Sequence, residues 1–139
     1  MRRAPRVVVL SAMRAAEYEP RDNAVCVSIT DPDHPDVPLS GRFAAVLRLR
    51  FSDIDQPSGL PEHTLFNRLH ARKLLNFLRR WSHVDTVVVH CRAGLSRSPA
   101  IVIALAELNG LPVAELEKEH PLWNKHVRAM VIATARKPS

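Results

Sequence analysis

Cysteine is scarce in this chain of 139 residues: only Cys26 and Cys91 are present, too few for a disulfide framework. Long apolar runs are missing too. The segment from Val7 to Leu10 is strand length, far short of the roughly twenty apolar residues of a membrane span, and no run of signal-peptide shape follows Met1. A soluble, cytoplasmic protein with no membrane partner is therefore expected. Lysine is rare, at four residues, so the formal charge of +6 comes mainly from arginine. The basic residues stand singly or in pairs (Arg2-Arg3, Arg72-Lys73, Arg79-Arg80), with no run of five and no interleaved aromatics, so the footprint of a specific nucleic-acid binder is absent. A diffuse positive field suits phosphorylated, often acidic substrates. There is no internal repeat, linker or low-complexity tract, and the length is that of one domain, residues 1–139, able to bury about two-thirds of its unfolded surface.

What is present is concentrated in His90-Cys91-Arg92-Ala93-Gly94-Leu95-Ser96-Arg97-Ser98. The residues before it, Asp85 to His90, read as a buried strand, and Ser98-Pro99 opens an apolar helix. Backbone N–H groups of a tight loop, together with the free N–H groups and dipole of the helix start, form a cradle that prefers phosphate or sulfate. The same positive field favours the thiolate of Cys91, the nucleophilic form. Arg97 adds a planar fork of donors that holds two oxygens of one anion. Gly94 lets the backbone turn inward without a Cβ clash, and the Ser98 hydroxyl is within reach of the sulfur, where it can stabilise a leaving thiolate. The competing reading is a buried, inert cysteine beside an incidental arginine. Strand, cysteine, glycine, arginine, hydroxyl and helix start all occurring in order argue against it.

These residues resemble the H-C-x-x-G-x-x-R-[ST] signature of the cysteine-dependent protein tyrosine phosphatases, most like the dual-specificity branch and compact bacterial tyrosine phosphatases. The likeness is close over residues 85–105 and looser over 44–84. It implies a phosphomonoester hydrolase working through a cysteinyl-phosphate intermediate, with the 92–97 segment as the phosphate-binding loop and no metal or other cofactor. A phosphoinositide or RNA 5′-phosphatase using the same loop is an alternative, although Arg92 is the only additional cation inside it. A phosphate-binding pseudophosphatase is another, and a rhodanese-like sulfur transferase is a weaker third. The substrate is expected to be a phosphorylated protein or small phosphomonoester.

Thiolate attack on a phosphate monoester needs an acid to protonate the leaving oxygen and then a base to activate water; one carboxyl group can serve both steps. The resembling enzymes carry it on an aspartate upstream of the cysteine, beyond a neighbouring strand. Here that loop reads Arg50-Phe51-Ser52-Asp53-Ile54-Asp55. Asp53 is the first candidate, because the resemblance places the acid two residues past Phe51, as the strand ends, and Asp55 is the alternative. The resemblance gives His90 a supporting role behind the loop, and it likens Asn124, in Pro121-Leu122-Trp123-Asn124, to a residue that braces the active-site wall; an ordinary helix-start asparagine is the other reading. The Asp31-Pro-Asp-His-Pro-Asp36 loop corresponds to the variable substrate-recognition region, and its composition describes an exposed turn better than a metal site. Cys26 reads as core, the alternative being a disulfide with Cys91 that shields the nucleophile from over-oxidation.

Along the chain, strands are expected at 6–10, 24–30 and 44–51 and a short helix at 11–18. Pro61 is placed to open an amphipathic helix whose apolar face is Phe66, Leu69, His70, Leu74, Phe77, Leu78 and Trp81. Ala100 to Ala106 forms a buried helix that stops at Asn109-Gly110, and helices follow at 113–118 and 123–135. The alternation implies a phosphotyrosine-phosphatase-like α/β fold of three layers, with a mainly parallel sheet of four to five strands flanked by helices on both faces and a ligand at the carboxyl end of a central strand.

Overall fold

Three β-branched segments and one run of alternating Leu and Arg become strands: β1 (Arg6–Leu10), β2 (Ala24–Thr30) and β4 (Thr86–His90) are the former and β3 (Ala45–Arg50) the latter. The structure, a computed structural model, describes residues 4–137; the Arg2-Arg3 pair lies outside the described residues. All four strands are parallel in the order β1-β4-β2-β3, an open α/β sheet. The two central strands, β2 and β4, are buried along their whole length, which explains why AVCVSIT and TVVVH read as continuous apolar runs rather than alternating ones.

Five helices complete the chain: α1 (Ala12–Glu17), α2 (Arg68–Arg80), α3 (Arg97–Leu108), α4 (Ala114–Glu119) and α5 (Lys125–Arg136). The larger core cluster joins Val25, Val27, Ile29, Val87 and Val89 of the sheet to Leu74 of α2, Ile101 of α3, and Val127 and Val131 of α5. Burial of each such aliphatic side chain is worth about 1.5–3 kcal/mol. The opposite face is thinner than the sequence suggests. Ala24, Cys26 and Val88 are covered there by Tyr18, just past α1, and by Leu39 and Phe43 from a loop, so one six-residue helix and irregular chain replace a full helical layer.

Two helical expectations need correction. Pro61 does not open α2. The Ser52 N–H donates to the Thr64 carbonyl at 2.7 Å and the Thr64 N–H to Ser52 Oγ at 2.9 Å, which holds this stretch extended. Helix α2 starts after Asn67, whose side chain accepts from the His70 N–H at 3.1 Å while His70 Nδ1 accepts from the Asn67 N–H at 3.0 Å. Phe66 therefore packs from the loop, 4.7 Å from Phe51 between ring centroids, and Leu69 stands 59% exposed instead of joining the core. Elsewhere the helices fall close to their expected bounds, and Gly110 takes φ +71° directly after the Asn109 cap of α3.

The two cysteines sit on opposite sides of the sheet. Cys26 belongs to the smaller cluster and Cys91 to the larger one, and both are free. A disulfide between them is thus not part of this fold.

Candidate active site

At the carboxyl end of β4 the chain turns into the loop 91–96 and at once into α3. Its shape depends on Gly94. That residue has φ +74°, and a Cβ there would lie 3.0 Å from the Leu10 carbonyl carbon and the Ser11 nitrogen, so the loop lies directly on the end of β1. The Ala12 N–H donates to the Arg92 carbonyl at 3.0 Å, fastening the same loop to α1. Arg92, Ala93 and Leu95 face outward, while Cys91, Gly94, Arg97 and Ser98 are buried.

Cys91, 2% exposed, has its sulfur 3.1 Å from Ser98 Oγ, close enough for the hydroxyl to donate to a thiolate. Behind it, a row of residues in register across three strands reaches the loop: Arg48, Ser28 and His90 are successive neighbours on β3, β2 and β4. Arg48 Nη1 donates to Ser28 Oγ at 3.3 Å, Ser28 Oγ lies 2.6 Å from His90 Nε2, and His90 Nδ1 lies 3.3 Å from the Cys91 carbonyl. One tautomer satisfies every contact, with Ser28 donating to Nε2 and Nδ1–H donating to the carbonyl. Burial, reinforced by the Arg48 and Arg97 charges, holds His90 below the ordinary histidine range and so keeps it neutral.

Arg97 is 3% exposed, and its Nη1 donates both to Asp31 Oδ1 and to the Phe51 carbonyl, each at 2.8 Å. These two contacts fix the guanidinium plane. Arg97 Nε is buried with no hydrogen-bond partner among the described residues, a donor whose desolvation an anion in the loop would offset. The sequence reading missed Asp31 as the partner of the arginine. Its loop is in turn held by Arg50, which donates to the Asp31 and His34 carbonyls and pairs with Asp36. Cys26, mid-sheet, is chemically remote: burial pushes its thiol up to about 12, partly countered by Arg48.

The loop after β3 lies over the signature loop. Asp53 Oδ1 accepts from Ser96 Oγ at 2.7 Å and from Asn124 Nδ2 at 3.0 Å, and Asp53 Oδ2 has no protein donor among the described residues. Ser96 precedes α3 yet makes no side-chain cap bond, because its hydroxyl is directed at Asp53. Asn124 is a junction. Its amide also donates to the Ile54 carbonyl at 3.0 Å, its N–H to the Ser96 carbonyl at 3.0 Å, and its Oδ1 caps α5 through the Val127 N–H at 3.0 Å. Asp55 makes no such bond and stands on the wall of an adjoining cleft of about 620 Å³ that Asp53, Ser96, Leu122, Asn124 and Lys125 also line. The structure thus groups Cys91, Ser98 and His90 by hydrogen bonds at one side of the loop and Asp53, Ser96 and Asn124 at the other, holds Arg97 through Asp31 and Phe51, and leaves Asp55 outside both groups.

No protein-family model and no curated protein sequence matches this chain. Solved structures do. Tk-PTP in its active form aligns over 94% of this chain and 90% of its own with a TM-score of 0.56 and 21% identity. Human DUSP28 aligns over 96% and 93% with a TM-score of 0.57 and 18% identity. The human tyrosine phosphatase-like serine/threonine/tyrosine-interacting protein covers 81% of this chain, and 76% of that chain, at a TM-score of 0.51 and 19% identity. The chain has the fold of the tyrosine and dual-specificity phosphatases.

Proposed function

We propose that this protein is a phosphomonoesterase of the tyrosine or dual-specificity phosphatase type, acting on phosphorylated protein through Cys91. Phosphate is received by the amides of residues 92–97 and by the fork of Arg97, whose unpaired Nε supports that assignment. The Cys91 sulfur attacks phosphorus, the P–O bond to the leaving group breaks, and Asp53 gives its proton to the departing oxygen. Asp53 then takes a proton from water as water attacks the cysteinyl phosphate, and the Ser98 hydroxyl stabilises the released thiolate. His90 and Asn124 act as positioning residues, the first behind the sulfur and the second at the acid.

The observation that carries this reading is the hydrogen bond from Ser96, inside the loop of Cys91 and Arg97, to Asp53, a carboxylate suited to the role of acid. Asp53 is preferred over Asp55 on the same ground. The non-catalytic alternative is disfavoured by the retention of nucleophile, clamp and acid together. Steady-state turnover of an aryl phosphate tests the proposal: Cys91→Ser is expected to abolish it while inorganic phosphate still binds. Undiminished turnover in that variant would overturn the mechanism.

A further inference from the structure

A second concentration of charge lies away from the phosphate loop. Helix α2 carries five cations, Arg68, Arg72, Lys73, Arg79 and Arg80, and no carboxylate. Between α2 and α5 runs a groove of about 610 Å³, with Arg68, Arg72, Arg79 and Lys137 along its rim. None of these four pairs with an acid among the described residues. The contrast with Arg128 is informative. That residue of α5 is held between Glu107 and Glu117 at 2.8 and 2.7 Å and stacks on Trp123, so here a cation is neutralised where it serves packing. The α2 cations have no such carboxylate partner among the described residues.

The groove has a defined floor. Leu75 and Ala135 supply aliphatic surface, and Asn76 and Thr134 supply polar groups; the Thr134 hydroxyl is buried without a hydrogen-bond partner among the described residues. From Arg68 to Arg79 the helix rises about 16 Å, too far for one small anion to bridge and close to the length of five extended residues. No aromatic side chain lines it, so bases have nothing to stack on. Its concavity suits a strand-like chain better than the flat surface of a bilayer.

We propose that this groove docks an extended, acidic peptide segment of a partner protein, its carboxylates meeting Arg68, Arg72, Arg79 and Lys137 and its backbone meeting Asn76. The site is independent of the phosphatase reading and does not use the catalytic loop.

The test is fluorescence anisotropy at low salt with a labelled hexaglutamate peptide, comparing the intact protein with Arg72→Glu/Arg79→Glu and with Arg21→Glu/Arg42→Glu, which alters net charge equally but away from the groove. The groove pair is expected to weaken binding about tenfold, and the distant pair by much less. Arg72→Gln/Arg79→Gln should lose affinity in the same direction by a smaller factor, with circular dichroism confirming the fold of each variant. Equal loss in the groove and distant pairs would reduce the effect to net charge and overturn the proposal. So would tighter, groove-dependent binding of a single-stranded oligonucleotide of equal charge, or of phosphatidylserine vesicles.

Discussion

Asp53 and Ser96 are 43 residues apart in sequence and 2.7 Å apart in the structure, joining the loop after β3 to the loop that holds Cys91. Because Ser96 gives its hydroxyl hydrogen to Asp53 rather than capping α3, the first N–H groups of that helix remain free of a side-chain acceptor. The same contact thus fixes the Asp53 carboxylate and, on the proposed mechanism, leaves those N–H groups for an anion.

Asp53→Asn should therefore lower kcat for an aryl phosphate by about a hundredfold or more and flatten the basic limb of the pH–rate profile. Asp55→Asn should change kcat little, since its carboxylate bonds to nothing in the cradle. If Asp55→Asn gives the large loss, the acid has been misassigned.

Asn124 has two separable jobs, and one substitution divides them. Asn124→Ser retains a side-chain oxygen for the α5 cap, so the melting temperature should hold. It removes the amide donors to Asp53 and Ile54, and kcat should fall about tenfold through a misplaced acid with little change in KM. A loss of stability with unchanged kcat would mean that Asn124 is only a cap.

Not everything in this neighbourhood was legible in the chain. The run TVVVH followed by cysteine, glycine, arginine and serine announced β4, the loop and α3, because strand, turn and helix signals there are local and agree. The pairing of Asp31 with Arg97 spans 66 residues and depends on parallel strands ending side by side, which no local pattern encodes. Ser28 was the one available clue to the row behind the loop: a polar residue in a fully buried strand needs a partner, and β4 supplies His90 in register. Pro61 misled because a helix-opening residue was overruled by backbone pairing of Ser52 with Thr64, a contact made only once the β3 loop has folded back.

The row from Arg48 to His90 gives the fold a pH dependence. His90 is held below its ordinary range mainly by burial, and half-buried His70 is also lowered, mainly by burial and then by Lys73. The unfolded chain then binds more protons than the native one as pH falls below about 6.5, so stability is lost on acidification through that window. Urea midpoints between neutral pH and about pH 5 should decline, and His90→Gln should flatten the decline while weakening the loop. A midpoint that rises on acidification would contradict the buried neutral histidine.

The two thiols should differ chemically. Iodoacetate followed by peptide mass spectrometry is expected to label Cys91 and spare Cys26, whose thiol burial pushes up to about 12. Inorganic phosphate should protect Cys91. Labelling of Cys26 alone would place the reactive sulfur on the wrong side of the sheet.

The most direct measurement is rapid acid quench during turnover of an aryl phosphate, with mass spectrometry of the peptide that contains Cys91. The account predicts a phosphoryl group on Cys91, more abundant in Asp53→Asn if the slowed variant cannot activate water, and absent from Cys91→Ser. Turnover with no such adduct, or with the phosphoryl group on another residue, would contradict it.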